Sequence, residues 1–171
     1  MTKKLIAHIK DICTGTARYM CQYTDGEMFY VTDGARAIRY KERVESDPEL
    51  NINAHDQSIT GMLKNRIHLA EGTILCKLPT KEEIKAGIAE IAGRSYSVVV
   101  AYGEGRFTVN ARYLLKAMDA LNATVCYIHE YSAHMKCIYL YKDDDLQSDI
   151  VELIMPIVKK SPKQTGFWAV V

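Results

Sequence analysis

The sequence predicts an α+β fold, with helices laid on one face of antiparallel sheets. Three observations carry that expectation. Two segments, 3–13 and 111–121, repeat apolar residues at helical spacing. Each stands in a half of the chain that reads as a helix and three short strand-like runs. The turns between those runs are marked by Asp-Gly and similar pairs. The composition agrees: 171 residues, 48% hydrophobic and 25% charged, suffice to bury a core without staples and exclude a disordered or fibrous chain.

The first helix is expected over 3–13. Leu5, Ile9 and Ile12 form its apolar stripe, Ile6 and Cys13 widen it, and Lys3, Lys4 and Lys10 fall largely outside it. Strand-like runs follow at 17–23, 28–31 and 35–43, separated by Thr24-Asp25-Gly26-Glu27 and Thr32-Asp33-Gly34. Residues 44–58 turn polar and read as a loop or boundary, and 57–66 as a short helix with Ile59, Met62 and Leu63 inward. A strand is expected over 73–78. Pro79-Thr80 opens another helix, where Thr80 and Glu83 have capping-box spacing and Ile84, Ile88 and Ile91 form the inner stripe.

The second half is clearer. The run 96–102 is a strand centred on three valines, and 106–109 is its partner across Gly103-Glu104-Gly105. Asn110 caps a helix to Leu121 with Ala111, Leu114, Leu115, Met118 and Leu121 inward and Arg112, Lys116 and Asp119 outward. Segment 124–131 alternates, with Val125, Tyr127, His129 and Tyr131 on one face. Strands are expected over 136–142 and 150–157, and Asp143–Asp145 as a solvated loop.

The net charge of +1 does not indicate a strongly basic nucleic-acid binder, although a local basic face remains open. The five cysteines, Cys13, Cys21, Cys76, Cys126 and Cys137, sit apart in apolar stretches and are expected to be reduced core residues. No apolar run approaches the roughly 20 residues of a membrane-spanning helix, so no membrane association is expected and the expected location is the cytoplasm. There is no phosphate-binding loop, no nucleophile setting and no cofactor motif, so no enzyme activity and no cofactor are expected. His129 and His134 flank a predicted turn with Glu130 beside them, but the spacing gives no third ligand for a metal, and the acidic run at 143–145 lacks calcium-loop spacing.

Three motifs carry a resemblance. Val31-Thr32-Asp33-Gly34-Ala35-Arg36-Ala37 resembles a turn of the bacterial sliding clamps, the beta subunit of DNA polymerase III. The segment from Phe107-Thr108-Val109-Asn110 through Tyr113-Leu114 to Leu121 resembles the helix of the clamp's final domain. Leu153-Ile154-Met155-Pro156-Ile157 resembles its terminal strand. The resemblance implies a single clamp-like domain over 1–158, made of a first half 1–43, an insertion 44–95 and a second half 96–158, with a tail 159–171. A clamp subunit carries three such domains, and two subunits close a ring.

What the resemblance implies for function is a non-enzymatic replication or processivity factor that contacts duplex backbone without reading sequence. Lys3, Lys4, Lys10, Lys85, Arg112 and Lys116 would face DNA, with Lys81 extending the surface. The plain alternative is a solvated helix face. Met155, Pro156 and Ile157 would lie near a partner-binding cleft, the alternative being that Met155 and Ile157 are core strand residues. Expected partners are duplex DNA, replication proteins and, if a ring forms, further copies of the chain. The alternative function is a clamp-fold interaction module, an accessory factor of a mobile element, that does not encircle DNA. The tail, with Gln164, Phe167 and Trp168, could dock on a clamp, add an edge strand or mediate self-association.

Overall fold

A computed structural model describes residues 1–13, 21–24, 27–44, 73–90, 97–102, 105–132 and 135–157. The expected helix at 57–66, most of the first expected strand and the tail lie outside these residues. Chain order is α1 (Lys3–Cys13), β1 (Cys21–Thr24), β2 (Phe29–Thr32), β3 (Arg36–Tyr40), β4 (Thr73–Lys77), α2 (Lys81–Glu90), β5 (Ser97–Tyr102), β6 (Gly105–Asn110), α3 (Ala111–Leu121), β7 (Val125–Ser132), β8 (Met135–Tyr141) and β9 (Val151–Ile154).

Seven strands form one antiparallel sheet in the order β1-β2-β3-β9-β8-β7-β4, and β5 and β6 form a separate hairpin. Each half therefore builds a three-stranded ribbon, β1–β3 and β7–β9. The ribbons join where β3 pairs β9, with Arg36 opposite Ile154 and Arg39 opposite Val151. The segment 44–95, expected as an insertion, contains β4, which pairs with β7 as an outer strand of the sheet among the described residues, and α2, which packs on α3 and β5.

Helices α1 and α3 lie side by side on one face of this sheet, α1 over β2 and β3 and α3 over β8 and β9. Leu5, Ile9 and Ile12 of α1 and Ala111, Leu114, Ala117, Met118 and Leu121 of α3 are buried there against Val31, Ile38, Cys126, Ile128, Ile138, Leu140 and Ile154. Strand alternation sends the neighbouring residues to the opposite face, where Tyr30, Ala37, Tyr127, Cys137, Tyr139, Tyr141, Val151 and Leu153 form a second buried cluster. The rings of Tyr127 and Tyr141 meet edge to face at 5.5 Å. All of β3 and β9 is consequently buried, not only the side toward the helices.

The local signals are realised in detail. Asn110 is the N-cap of α3, its Oδ1 accepting from the amides of Arg112 (2.9 Å) and Tyr113 (3.4 Å). Asn122 ends that helix in the left-handed region at φ 53°. Before α2, the Thr80 amide donates to the Glu83 carboxylate at 2.6 Å and the Glu83 amide donates to Thr80 Oγ1 at 3.2 Å, a complete capping box.

Several expectations are corrected. Leu115 is only half-buried and Ala117 is buried, because Ala117 shares the helical phase of Leu114, Met118 and Leu121 while Leu115 lies at the border of that stripe. Strand β3 stops at Tyr40, short of the predicted 43. Strand β9 spans four residues, not 150–157: it stops before Pro156, which has no amide to donate. Asp144 does not belong to a merely solvated loop. Its carboxylate accepts from the Thr124 amide (2.9 Å), the Thr124 hydroxyl (2.6 Å) and the Val125 amide (3.2 Å), clasping the β8–β9 connection to the start of β7. Cys76 is half-buried on an edge strand, whereas Cys13, Cys126 and Cys137 are in the core as expected.

Two outcomes follow from this packing. Leu114→Ala removes a fully buried side chain between helix and sheet and is expected to lower stability by about 2–5 kcal/mol, measured by urea denaturation. Burial pushes the Cys137 thiol up to about 12 and raises Cys126 further. Both are expected to resist alkylation in the native protein and to label on unfolding, read by mass spectrometry of the modified peptides.

Candidate functional site

The two central helices present an outward face whose charges interlock. Lys4 of α1 lies 3.3 Å from Asp119 of α3, and Lys116 of α3 lies 2.8 Å from Asp11 of α1. The start of α1 thus meets the end of α3, and the end of α1 meets the middle of α3, so the helices run antiparallel. Lys81 of α2 also reaches Asp119, at 2.8 Å. Between these pairs lies a groove of about 440 Å³ lined by Lys4, Ala7, His8, Asp11, Leu115, Lys116, Asp119 and Ala120.

All six side chains expected to face DNA, Lys3, Lys4, Lys10, Lys85, Arg112 and Lys116, are exposed. Helical spacing puts Lys3 and Lys10 on one side of α1 and Arg112 and Lys116 on one side of α3, and it puts Lys85 one turn beyond Lys81. Asp119 is held below the usual carboxylate range by the hydrogen bond from Lys81, then by that from Lys4. Burial works against the charge of Asp11, but hydrogen bonds from Lys116 and Arg36 outweigh it and its carboxyl is also lowered.

Arg36 connects this surface to the sheet. Its side chain is 3% exposed; the guanidinium donates to Asp33 at 2.9 Å and to Asp11 at 2.7 Å and lies 4.4 Å from the ring centre of Tyr113. The turn before it is built for this placement. Asp33 Oδ1 accepts from the Ala35 and Arg36 amides, Thr32 Oγ1 donates to the Arg36 carbonyl and accepts from the Gly34 amide, and Gly34 takes φ 84°. Burial opposes the charge of Arg36, but Asp11, Glu152 and Asp33 stabilise it more strongly.

Beneath the groove, His8 Nε2 lies 2.6 Å from Glu152 Oε2. Glu152 sits in the middle of β9 between Ile38 and Leu140 and is fully buried. Glu152 Oε1 and Arg36 Nη1 are buried and have no hydrogen-bond partner among the described residues. Sequence reasoning misses this polar layer, although the signals are there: His8 interrupts the apolar stripe of α1, and Glu152 is a lone charge in an apolar strand.

Met155, Pro156 and Ile157, the residues expected near a partner cleft, directly follow β9. Met155 is half-buried against the tyrosine-bearing face, its sulfur 3.5 Å from Cys137 Sγ, and its amide donates to the Ala35 carbonyl at 2.9 Å. Pro156 is half-buried. Ile157 is 43% exposed, and its amide donates to the Thr108 carbonyl at 2.7 Å. Ile157 is therefore not a core residue. Among the described residues no three His, Cys, Asp or Glu side chains gather as a metal site, and no described helix is long and apolar enough to cross a membrane.

Arg36→Ala strands Asp33 and Glu152 without their buried counter-charge and is expected to cost about 3–5 kcal/mol, read from the urea midpoint. Acid should act through Asp11. A carboxyl lowered in the folded state contributes stability that is complete above its unfolded value of about 3.9 and is lost as pH falls through the lower folded value. Asp11→Asn is therefore expected to flatten the acid limb of a thermal-stability profile recorded below that pH.

No family model matches the sequence, and no curated protein matches it. Solved structures do. The beta clamp of H. pylori, in complex with diflunisal, superposes with a TM-score of 0.50 at 14% identity, over 91% of this chain and 64% of that one. The sliding clamp (DNA polymerase III subunit beta) of Bartonella birtlesii, bound to griselimycin, gives 0.51 at 11% identity, over 92% and 64%. The chain thus spans less than two thirds of either clamp's length. At such identities the likeness is one of fold, and the fold is a clamp-like α+β arrangement of helices on antiparallel sheet.

Proposed function

We propose that this chain is a non-enzymatic, clamp-fold factor of DNA replication or DNA transactions, contacting duplex backbone without reading base sequence. The observation that carries the reading is the antiparallel helix pair, whose outward face holds Lys3, Lys4, Lys10, Arg112 and Lys116 exposed, with Lys85 beside it on α2. Diffuse cations on a helix face suit phosphates met in any sequence context. Residues 1–158 act as one clamp-like domain in this reading, in the cytoplasm, with 44–95 as an insertion and 159–171 as a tail. Encirclement then requires several copies. Support comes from β1 and β4, the outer strands of the sheet among the described residues, whose outer backbone edges suit pairing between copies.

A second reading, an interaction module that does not encircle DNA, is favoured by apolar exposure. Ile74 and Leu75 on β4 are 42% and 57% exposed, and Ile157 beside Met155 and Pro156 is similar. Replication proteins or a second copy are the partners such surfaces would take.

Binding of the full chain to a fluorescent duplex across a salt series tests the first reading. Affinity is expected to fall with salt. Replacing Lys3, Lys10 and Arg112 by Ala is expected to flatten the logarithmic slope by about 0.9 for every phosphate left unneutralised. Absence of binding at about 50 mM salt rejects DNA contact. Self-association or partner capture that is lost in Leu75→Asp then supports the second reading.

A further inference from the structure

Lys4 from α1 and Lys81 from α2 converge on one carboxylate, that of Asp119 on α3, at 3.3 and 2.8 Å. Two flexible ammonium groups from separate helices meeting at one point form an anion-holding pair. Its anion is supplied by the chain itself. Asp11 has a comparable place between Lys116 and Arg36, but there the carboxylate also answers a buried guanidinium. Asp119 is differently placed: its side chain is half exposed, and Lys4 and Lys81 both reach solvent.

We infer that the Asp119 carboxylate stands in for a backbone phosphate, occupying Lys4 and Lys81 so that the helix face engages DNA more weakly and less salt-dependently than its lysines alone would allow. This rests on the DNA-contact reading above and specifies how that surface is regulated. The physical argument concerns counterions. A free lysine near a duplex neutralises a phosphate and releases a condensed cation, which gives affinity its salt dependence. A lysine already paired with a carboxylate must give up that partner, or bring a negative charge toward the phosphate, before it adds anything. Lysine content along the helices therefore overstates the attraction.

The test compares the full-length wild type with Asp119→Asn on a fluorescent duplex across a salt series. Asparagine is nearly isosteric and the position is half exposed, so the fold is retained, which a thermal melt verifies. Asp119→Asn is expected to bind more tightly at low salt. Each additional phosphate neutralised should add about 0.9 to the logarithmic slope, about a 3.5-fold greater loss of affinity between 50 and 200 mM salt. Adding Lys4→Ala and Lys81→Ala to Asp119→Asn should return slope and affinity to or below wild type. A steeper slope in Asp119→Asn supports the inference, and so does measurable, salt-dependent binding by Asp119→Asn where wild type binds too weakly to give a slope. Equal slopes for wild type and Asp119→Asn, with both binding, overturn the inference and leave DNA contact standing. No binding by either protein at low salt overturns both. A purely structural role for Asp119 would shift the melting temperature without moving the salt slope.

Discussion

A guanidinium sealed between helices and sheet has to be answered by carboxylates, and that requirement organises this protein. Arg36 is almost wholly buried, and three acidic residues from separate parts of the chain answer it: Asp33 in its own turn, Asp11 on α1 and Glu152 on β9. Tyr113 of α3 lies over the same group. One side chain thereby fixes the turn, the helices α1 and α3 and the joining strand relative to one another. Replacing such a layer by apolar side chains need not cost stability, but removing one member does. Through Asp11 the layer also reaches Lys116, so the arrangement of the outer charges depends on a group that solvent hardly meets.

The sheet is enclosed on two sides in different ways. Toward the helices the residues are mostly aliphatic, apart from the polar layer. On the other side they are dominated by tyrosines 30, 127, 139 and 141. Antiparallel sheets commonly leave one face to water and then show polar residues at every second position. Strands β3 and β9 do not. Their alternate positions are Ala37, Arg39, Val151 and Leu153, and Arg39 is held by the carbonyls of Ser148 and Asp149. The loop before β9 is therefore bound to the sheet face by charge-assisted hydrogen bonds.

What could be read from the sequence was local. The stripe Leu5, Ile9 and Ile12, the cap at Asn110 and the Thr80–Glu83 box depend on residues within one or two turns, and each forms as expected. The exposure of the six basic residues was legible for the same reason. The ion pairs were not: Lys4 meets Asp119 and Lys116 meets Asp11 only because the two helices lie antiparallel, a relation set by the sheet beneath them. His8 and Glu152 are 144 positions apart, so no window along the chain connects them. Strand ends are illegible where composition stays apolar but pairing stops, as beyond Ile154. The edge position of β4, and with it the exposure of Leu75, follows from topology and not from its own residues.

The junction of the two ribbons has a consequence for biosynthesis. Strand β3 is complete by Tyr40, yet the strand that pairs with its remaining edge among the described residues is Val151–Ile154. While a ribosome makes the long stretch between them, the early ribbon waits with an open side, and Arg36 waits without Glu152. Closure spans most of the molecule and carries a correspondingly large entropic cost. Joining of the two ribbons is therefore a late event, completed only once β9 has left the exit tunnel.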